Sequence, residues 1–145
     1  MMDIRLKRVY EQPSSDDGVR ILVERLWPRG ITKAGAKIDA WRKDAAPSAE
    51  LRKWFGHDPA KWEQFKKRYW EELRHNQPVV ENLRAYMKKG QVTFVYAARD
   101  EQHNGALALR EFIERRTRVF VLRAAQVWLP FPFPRKGEVF LANLP

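Results

Sequence analysis

Two uninterrupted apolar runs constrain the fold of this chain more than any other feature of its sequence. The first, Ile21-Leu22-Val23, lies inside a predicted strand at residues 19–26, and the second forms a predicted strand at residues 92–98. A half-exposed strand alternates polar and apolar residues, whereas a continuously apolar strand needs cover on both of its faces. Both segments are therefore expected to lie inside a sheet that is covered on its two sides.

The rest of the chain alternates strands with helical stretches. A further strand is predicted at residues 4–9, and residues 31–46 are interpreted as a long irregular connection. Helices are predicted from Ser48 to Gly56, after Asp58-Pro59, from Gln77-Pro78 to Gly90, and from about Asn104. This alternation predicts an α/β fold, a three-layer-like single domain with a small, mainly parallel central sheet flanked by helices.

The composition changes near residue 117, where the chain becomes rich in basic, aromatic and proline residues. We therefore predict an α/β domain at residues 1–117 and a C-terminal extension at residues 118–145. The extension is expected to contain a strand at Val119 to Leu122 and an arm that packs on the domain or on a partner subunit. With 145 residues, the chain is long enough to bury one core without disulfides or metal ions.

Several kinds of chemistry have no support in the sequence. The chain has no cysteine, which excludes disulfides, zinc-thiolate sites and a cysteine nucleophile. Its three histidines, His57, His75 and His103, show no metal-ligand spacing, so no metal is predicted. No glycine-rich nucleotide loop or nucleophile elbow is present, and no cofactor is predicted. The N-terminus and the lengths of the apolar runs predict a cytoplasmic protein without a membrane segment.

An arginine-rich turn from Arg25 to Gly30 follows the second predicted strand and is the strongest candidate for a binding site. Ligands of open α/β sheets bind at the carboxyl ends of the strands. If the strands at residues 19–26 and 92–98 are neighbours, the polar residues at the carboxyl end of each strand share one crevice. A crevice lined in this way suits a phosphate or carboxylate. The predicted ligand-binding residues are Arg25, Trp27, Arg29, Tyr96, Arg99 and Asn104.

The same residues also have simpler interpretations, and the sequence leaves both open. Arg25 either binds a ligand or pairs with Asp100 or Glu24, and Trp27 either lines the crevice or belongs to the core. A histidine beside an acid can carry protons, so the candidate catalytic residues are His103, His57 and Asp100. Whether the chain is an enzyme stays open.

The charge of the chain favours anionic partners. It carries 28 Lys and Arg against 18 Asp and Glu, a formal net charge of +10. One hypothesis is a small protein that binds or acts on a phosphorylated or nucleotide-like anion. The alternative is a nucleic-acid-binding or regulatory, protein-interaction module without catalysis, in which the C-terminal arm binds nucleic acid or forms a homodimer.

A longer set of motifs resembles the bacterial family known as domain of unknown function 488, of the YeaO-like type. The resemblance covers about residues 4–116, and Glu24 stands where the family more often has Asp. It implies a small cytoplasmic α/β protein and implies no activity. The motifs are residues 20–30, Trp41, residues 46–48, residues 51–59, Arg68-Tyr69, Glu72-Leu73, Gly90, Val92-Thr93, residues 96–100 and His103-Asn104.

Overall fold

The fold is built on a four-stranded sheet, seen in a computed structural model that describes residues 4–115. The strands are β1 (Ile4–Arg8), β2 (Val19–Leu22), β3 (Ala40–Trp41) and β4 (Val92–Tyr96). All of them pair in parallel, in the order β1-β4-β2-β3. The prediction of an α/β fold with a mainly parallel sheet is confirmed, and the described residues up to Phe112 form one compact unit.

Five helices accompany the sheet. They are α1 (Lys33–Ala36), α2 (Ala49–Phe55), α3 (Trp62–Arg74), α4 (Gln77–Lys89) and α5, which covers residues 105–115. The predicted caps of α2 are confirmed, since the Ser48 side chain accepts the Leu51 N–H and Gly56 takes a left-handed conformation. Asp58 likewise accepts the Ala60 N–H in the single turn of 3-10 helix that leads into α3.

The segment 31–46 is more ordered than predicted. It contains α1 and β3, and the interpretation of the whole segment as irregular was wrong. A helix of four residues and a strand of two are too short to display the apolar periods by which such elements are recognised. Thr32 caps α1 by accepting the Gly35 N–H, and β3 pairs with β2 at Ala40 and Trp41.

β4 occupies the interior of the sheet, with β1 on one side and β2 on the other. All five of its residues are buried, as its apolar sequence predicts. On one face of the sheet, Val95 and Leu22 pack in a cluster with Val9 and Ala36. The long helices bury their own apolar stripes, including Tyr69, Leu73, Leu83 and Leu109.

The connection between β1 and β2 has to pass the intervening strand β4. Asp17, a buried residue of this connection, anchors it to β4 and to its surroundings. The backbone carbonyl of Asp17 accepts the Thr93 hydroxyl of β4 at 2.7 Å. Its carboxylate binds Arg20 at 2.6 Å and Lys7 at 3.2 Å, and the side chains of Asp17 and Arg20 are almost fully buried. Arg20 also donates to the Ala36 carbonyl, so this ion pair ties the connection to α1.

The strand predicted at Val119 to Leu122 and the arm that follows it lie outside the described residues. The domain boundary at residue 117 therefore stays a prediction. No helix within residues 4–115 is long and apolar enough to cross a lipid bilayer.

Candidate functional site at the carboxyl ends of the strands

The sheet order brings the predicted halves of the crevice to one edge. β2 and β4 are hydrogen-bonded neighbours running in the same direction, so the turn after β2 and the loop after β4 emerge side by side. β1 lies on the other side of β4, and its carboxyl end reaches the same edge. This edge is where parallel α/β sheets hold their ligands.

Arg25 lies at this edge, but its guanidinium binds the protein itself. Nε donates to the Pro47 carbonyl at 3.0 Å and Nη2 donates to the Ala46 carbonyl at 3.3 Å. The preceding carbonyl, that of Ala45, accepts a short hydrogen bond from the Tyr69 hydroxyl. Three successive carbonyls before α2 are thus held by side chains from elsewhere in the fold.

The next residue, Ser48, completes this clamped loop, which we define as residues 45–48. Its backbone N–H and its hydroxyl donate to the two carboxylate oxygens of Glu72 at 2.9 and 2.6 Å. The same hydroxyl accepts the Leu51 N–H and caps α2. Several residues of the family motifs, among them Arg25, Tyr69 and Glu72, therefore fix the start of α2.

Trp27 also contacts the protein interior. Its indole N–H donates to the Ile31 carbonyl at 2.7 Å, and its ring packs edge-on against Trp41 with centroids 5.3 Å apart. Both rings adjoin the apolar cluster that contains Leu22 and Val95. This placement agrees with the interpretation of Trp27 as a core residue.

Glu24 is a polar residue of this edge for which sequence reasoning considered only a pairing role. Its carboxylate accepts the Ala97 N–H at 3.0 Å and so joins the end of β2 to the end of β4. Burial raises the pKa of Glu24, while that hydrogen bond and the charges of Arg52 and His57 act in the opposite direction. The position of Glu24 directly after the apolar run Ile21-Leu22-Val23 was the sequence feature that could have indicated this role as an acceptor at the strand end.

Asp100 and His103 form the pair that their spacing suggested. One carboxylate oxygen lies 2.8 Å from His103 Nδ1, and the other accepts the N–H groups of Gln102 and His103. The hydrogen bonds from Gln102 and His103 lower the pKa of Asp100. Asn104 is buried and caps α5, since its side chain accepts the Leu107 N–H and donates to the Asp100 carbonyl.

The two candidate histidines lie on either side of a pair of aromatic rings. His57, in a left-handed conformation at φ 58°, lies against Phe55 with ring centroids 6.4 Å apart. The ring of Phe55 is 6.1 Å from that of Trp62, which in turn meets His103 edge-on at 5.4 Å. Each imidazole thus contacts a different aromatic ring, His57 that of Phe55 and His103 that of Trp62.

Two hydrogen bonds and a cation–π contact link the backbone at Arg29 to the backbone just before Arg99. Arg29 is exposed, and its carbonyl accepts the Tyr10 hydroxyl at 3.0 Å. The Arg8 guanidinium lies 5.2 Å from the centroid of the Tyr10 ring and donates to the Ala98 carbonyl at 2.9 Å. Ala98 immediately precedes Arg99, which is also exposed. Sequence reasoning missed Arg8 and Tyr10, although their place at the end of the first predicted strand pointed to this edge.

Tyr96 lies beneath this edge at the end of β4. Burial raises the pKa of its hydroxyl above 10.0, and the carboxylates of Glu101 and Glu11 add to the effect, while Arg8 opposes it. The hydroxyl therefore stays protonated at neutral pH and keeps its ability to donate a hydrogen bond. The same two carboxylates mean that the edge carries acids as well as arginines.

The site offers hydrogen-bond donors more readily than free acids. Glu24 and Asp100 already accept backbone N–H groups, whereas Arg29 and Arg99 are exposed. Within the described part of the chain, no group of three or more His, Asp or Glu side chains is arranged to hold a metal ion. The exposed arginines Arg29 and Arg99 can hold an anion by charge and by bidentate hydrogen bonds.

The described residues thus form a small α/β domain with polar residues at its strand ends, and comparison with known proteins gives its family. The family profile described as "Inactive DUF488-N3 subclade" matches residues 3–123. The uncharacterized protein YeaO of Escherichia coli is 39% identical over 112 residues, which cover 77% of this chain and 97% of YeaO. The uncharacterized protein Rv3073c of Mycobacterium tuberculosis is 41% identical over 113 residues, which cover 78% of this chain and 95% of that protein.

The chain therefore belongs to the DUF488 family, in its inactive DUF488-N3 subclade. The resemblance drawn from the sequence motifs is confirmed. No solved structure matches the chain at a significant level.

Proposed function

We propose that this protein binds a phosphate-bearing ligand at the carboxyl ends of β1, β2 and β4 and does not transform it. The observation that carries the proposal is the pair of exposed arginines, Arg29 and Arg99, at the ends of adjacent strands. The hydrogen bonds of Tyr10 and Arg8, with the cation–π contact between these two side chains, hold the backbones of these two segments together. A ligand that spans both segments meets two guanidinium groups on one preorganised edge.

The donors at this edge suit phosphate oxygens. A guanidinium presents a planar fork of N–H groups that matches a phosphate in bidentate geometry. The protonated hydroxyl of Tyr96 and the imidazole of His103 provide further hydrogen-bonding groups on the segment that carries Arg99, three residues before it and four residues after it. Of the acids nearby, Glu11 and Asp100 are already engaged by the Arg8 N–H and by His103, which reduces their repulsion of an anion, whereas the exposed Glu101 adds a negative charge at this edge.

Three observations favour binding over catalysis. The Glu24 carboxylate is committed to the Ala97 N–H, and Arg25 is committed to the clamped loop. The two candidate proton carriers, His57 and His103, each pack against an aromatic ring, Phe55 and Trp62 respectively. The family description also carries the word "inactive". In this proposal the Asp100–His103 pair orients the loop and the imidazole and is not a general base.

The first experiment measures the binding of inorganic phosphate and of adenosine monophosphate by calorimetry at low ionic strength. We expect both to bind, and we expect the double variant Arg29→Ala/Arg99→Ala to weaken binding by about tenfold or more, because two charge-assisted contacts are lost. Its thermal unfolding should match that of the wild type, since both side chains are exposed.

The matched control is Lys88→Ala/Lys89→Ala, which removes the same charge from the exposed last turn of α4. An equal loss of affinity in this control would assign binding to net charge alone and end the proposal. Conversion of the nucleotide by the wild type would contradict the absence of catalysis.

A further inference from the structure

A second basic surface lies on α2, on α3 and on the turn that joins them. At its centre is Trp54, near the end of α2, which is only partly buried. The Lys61 ammonium lies 5.0 Å from the centroid of its ring, and the Arg68 guanidinium lies 4.2 Å from it. Lys61 also donates to the Trp54 carbonyl at 2.9 Å. One indole thus orients two cations through cation–π contacts.

Two further exposed cations are neighbours of the central residues in sequence. Lys53 precedes Trp54 on α2 and Lys67 precedes Arg68 on α3, and both are exposed. We define the Trp54 surface as these four cations together with the indole. The structure joins none of the four to a carboxylate by an ion pair in residues 4–115, whereas the α3 acids Glu63 and Glu71 pair with other cations.

The acids closest to these cations are mostly engaged: Glu63 and Glu71, one turn to either side of Lys67 on α3, pair with Lys66 and Arg74. Glu50, one turn before Trp54, is the single acid in the sequence of α2, and Asp58 is engaged as the cap of the turn before α3. The four cations therefore outnumber the nearby free carboxylates. Because the whole chain also carries a formal charge of +10, the field at this surface favours a polyanion.

The spacing of the central cations limits what the surface can bind. The two ring distances together restrict the Lys61 and Arg68 charges to a separation of about 9 Å or less. A nucleic-acid strand carries a charge at about every 3.4 Å along its axis, so one short stretch of backbone can meet both. A single small phosphate, by contrast, contacts only part of such a surface.

Apart from the partly buried indole of Trp54, which two cations contact, the described part of α2 and α3 offers no exposed large apolar side chain as an anchor. The exposed large apolar side chains of residues 4–115 are Tyr10 and Leu26, which lie at the strand ends and not on α2 or α3. Protein interfaces and interfacial membrane helices depend on buried aromatic or aliphatic anchors, whereas phosphate-backbone binding depends on Lys and Arg.

We infer that the Trp54 surface binds the phosphate backbone of a nucleic acid. The cations supply the contacts with phosphate, and the indole holds Lys61 and Arg68 at a fixed spacing. Binding of this kind reads charge and not bases, so it has little sequence preference and depends strongly on salt. This inference goes beyond the proposed function and does not depend on it, because it uses none of the residues at the strand ends.

The test is fluorescence anisotropy with labelled 20-mer single-stranded and double-stranded DNA and RNA, titrated with the full chain at several salt concentrations. We expect the protein to bind at least one of these nucleic acids at low salt concentration. The double variant Lys61→Gln/Arg68→Gln should lose about tenfold or more in affinity, and its slope of log affinity against log salt should fall by about 1.4 to 1.8.

The control variant Lys88→Gln/Lys89→Gln carries the same change in net charge on α4. If it weakens binding as much as Lys61→Gln/Arg68→Gln does, the Trp54 surface is not the site and the inference is wrong. The absence of binding at low salt, or equally tight binding of polyglutamate, would also overturn it. The strand-end variant Arg29→Ala/Arg99→Ala should bind nucleic acid within about twofold of wild type, which separates this test from that of the proposed function.

Discussion

Arginine serves three distinct purposes in this fold. Arg20 is buried against Asp17, and Arg25 holds the carbonyls of the clamped loop. Arg29 and Arg99 project into solvent at the strand ends. The first two positions require a planar group with several donors, because each guanidinium satisfies more than one oxygen at once. Of these four arginines, only the exposed pair is free to exchange water for a ligand.

The buried ion pair supports the prediction that Asp17→Asn costs about 3 to 5 kcal/mol of unfolding free energy, because it leaves the Arg20 charge buried without its counterion. Urea unfolding at neutral pH measures the loss. The control is Asp16→Asn, which changes the exposed neighbour in the same turn and should cost about 0.5 kcal/mol or less. Similar losses in both variants would show that the buried pair contributes little.

The contribution of Asp17 also has a defined pH range. Burial by itself raises the pKa of this carboxyl, but the Ser14 N–H, Lys7 and Arg20 outweigh burial and bring the pKa below 3.8. A lowered carboxyl pKa stabilises the fold above the unfolded value, and this contribution is lost as the pH falls through the folded value. The difference in stability between wild type and Asp17→Asn should therefore persist to about pH 4 and shrink below it.

Glu24 should show the opposite dependence. Burial raises its pKa above 4.5, so the folded protein holds this proton more tightly than the unfolded chain does. As the pH falls from 7 towards 4.5, the wild type should gain stability relative to Glu24→Gln, whose side chain keeps an acceptor for the Ala97 N–H. Urea unfolding at pH 7, 6 and 5 measures the difference, and a difference that does not change with pH would contradict a raised pKa.

At the scale of elements, the entry to β2 depends on a glycine that no other residue can replace without strain. Gly18 has φ +65°, and a Cβ there would lie 2.1 Å from the backbone oxygen of Gln91. Gly30 has φ +74° but faces open space. Both positions penalise a side chain through the left-handed conformation, and only Gly18 adds a clash with the backbone next to β4.

We therefore expect Gly30→Ala to cost about 1 to 2 kcal/mol and Gly18→Ala to cost clearly more. Thermal and urea unfolding of the two variants provide a matched comparison, since both are the same substitution at a similar φ. Equal losses would indicate that the backbone next to Gly18 moves away without cost.

Elements with local signals were predictable from the sequence. Ser48, Gly56 and Asp58 marked helix ends because capping depends on residues that are close in sequence. The strand predicted at residues 19–26 is shorter in the structure, ending at Leu22, although the Val23 N–H still donates to the Val95 carbonyl. An apolar run shows that a segment is buried, but pairing with other strands decides where its ladder ends.

At the scale of the whole molecule, the sequence predicted the location of the candidate site better than the roles of its residues. The sheet order brings the ends of β2 and β4 together, as the topological rule for ligand sites requires. The partners of Arg25 lie more than 20 residues away at the clamped loop, and no local pattern announces them. The sequence around Arg29 also does not indicate whether its side chain has a partner within the protein. The sequence therefore could not distinguish Arg25, which binds the clamped loop, from Arg29, which is exposed.

The central position of β4 has a consequence for how the protein is made. β1 and β2 leave the ribosome first, yet the strand that pairs with both of them is about 70 residues further along the chain than the end of β2. At translation rates of about 5 to 20 residues per second, this gap corresponds to roughly 4 to 14 s. During that interval the apolar segment Ile21-Leu22-Val23 lacks its main partner, and the nascent chain depends on chaperones or on its own basic charge to avoid aggregation.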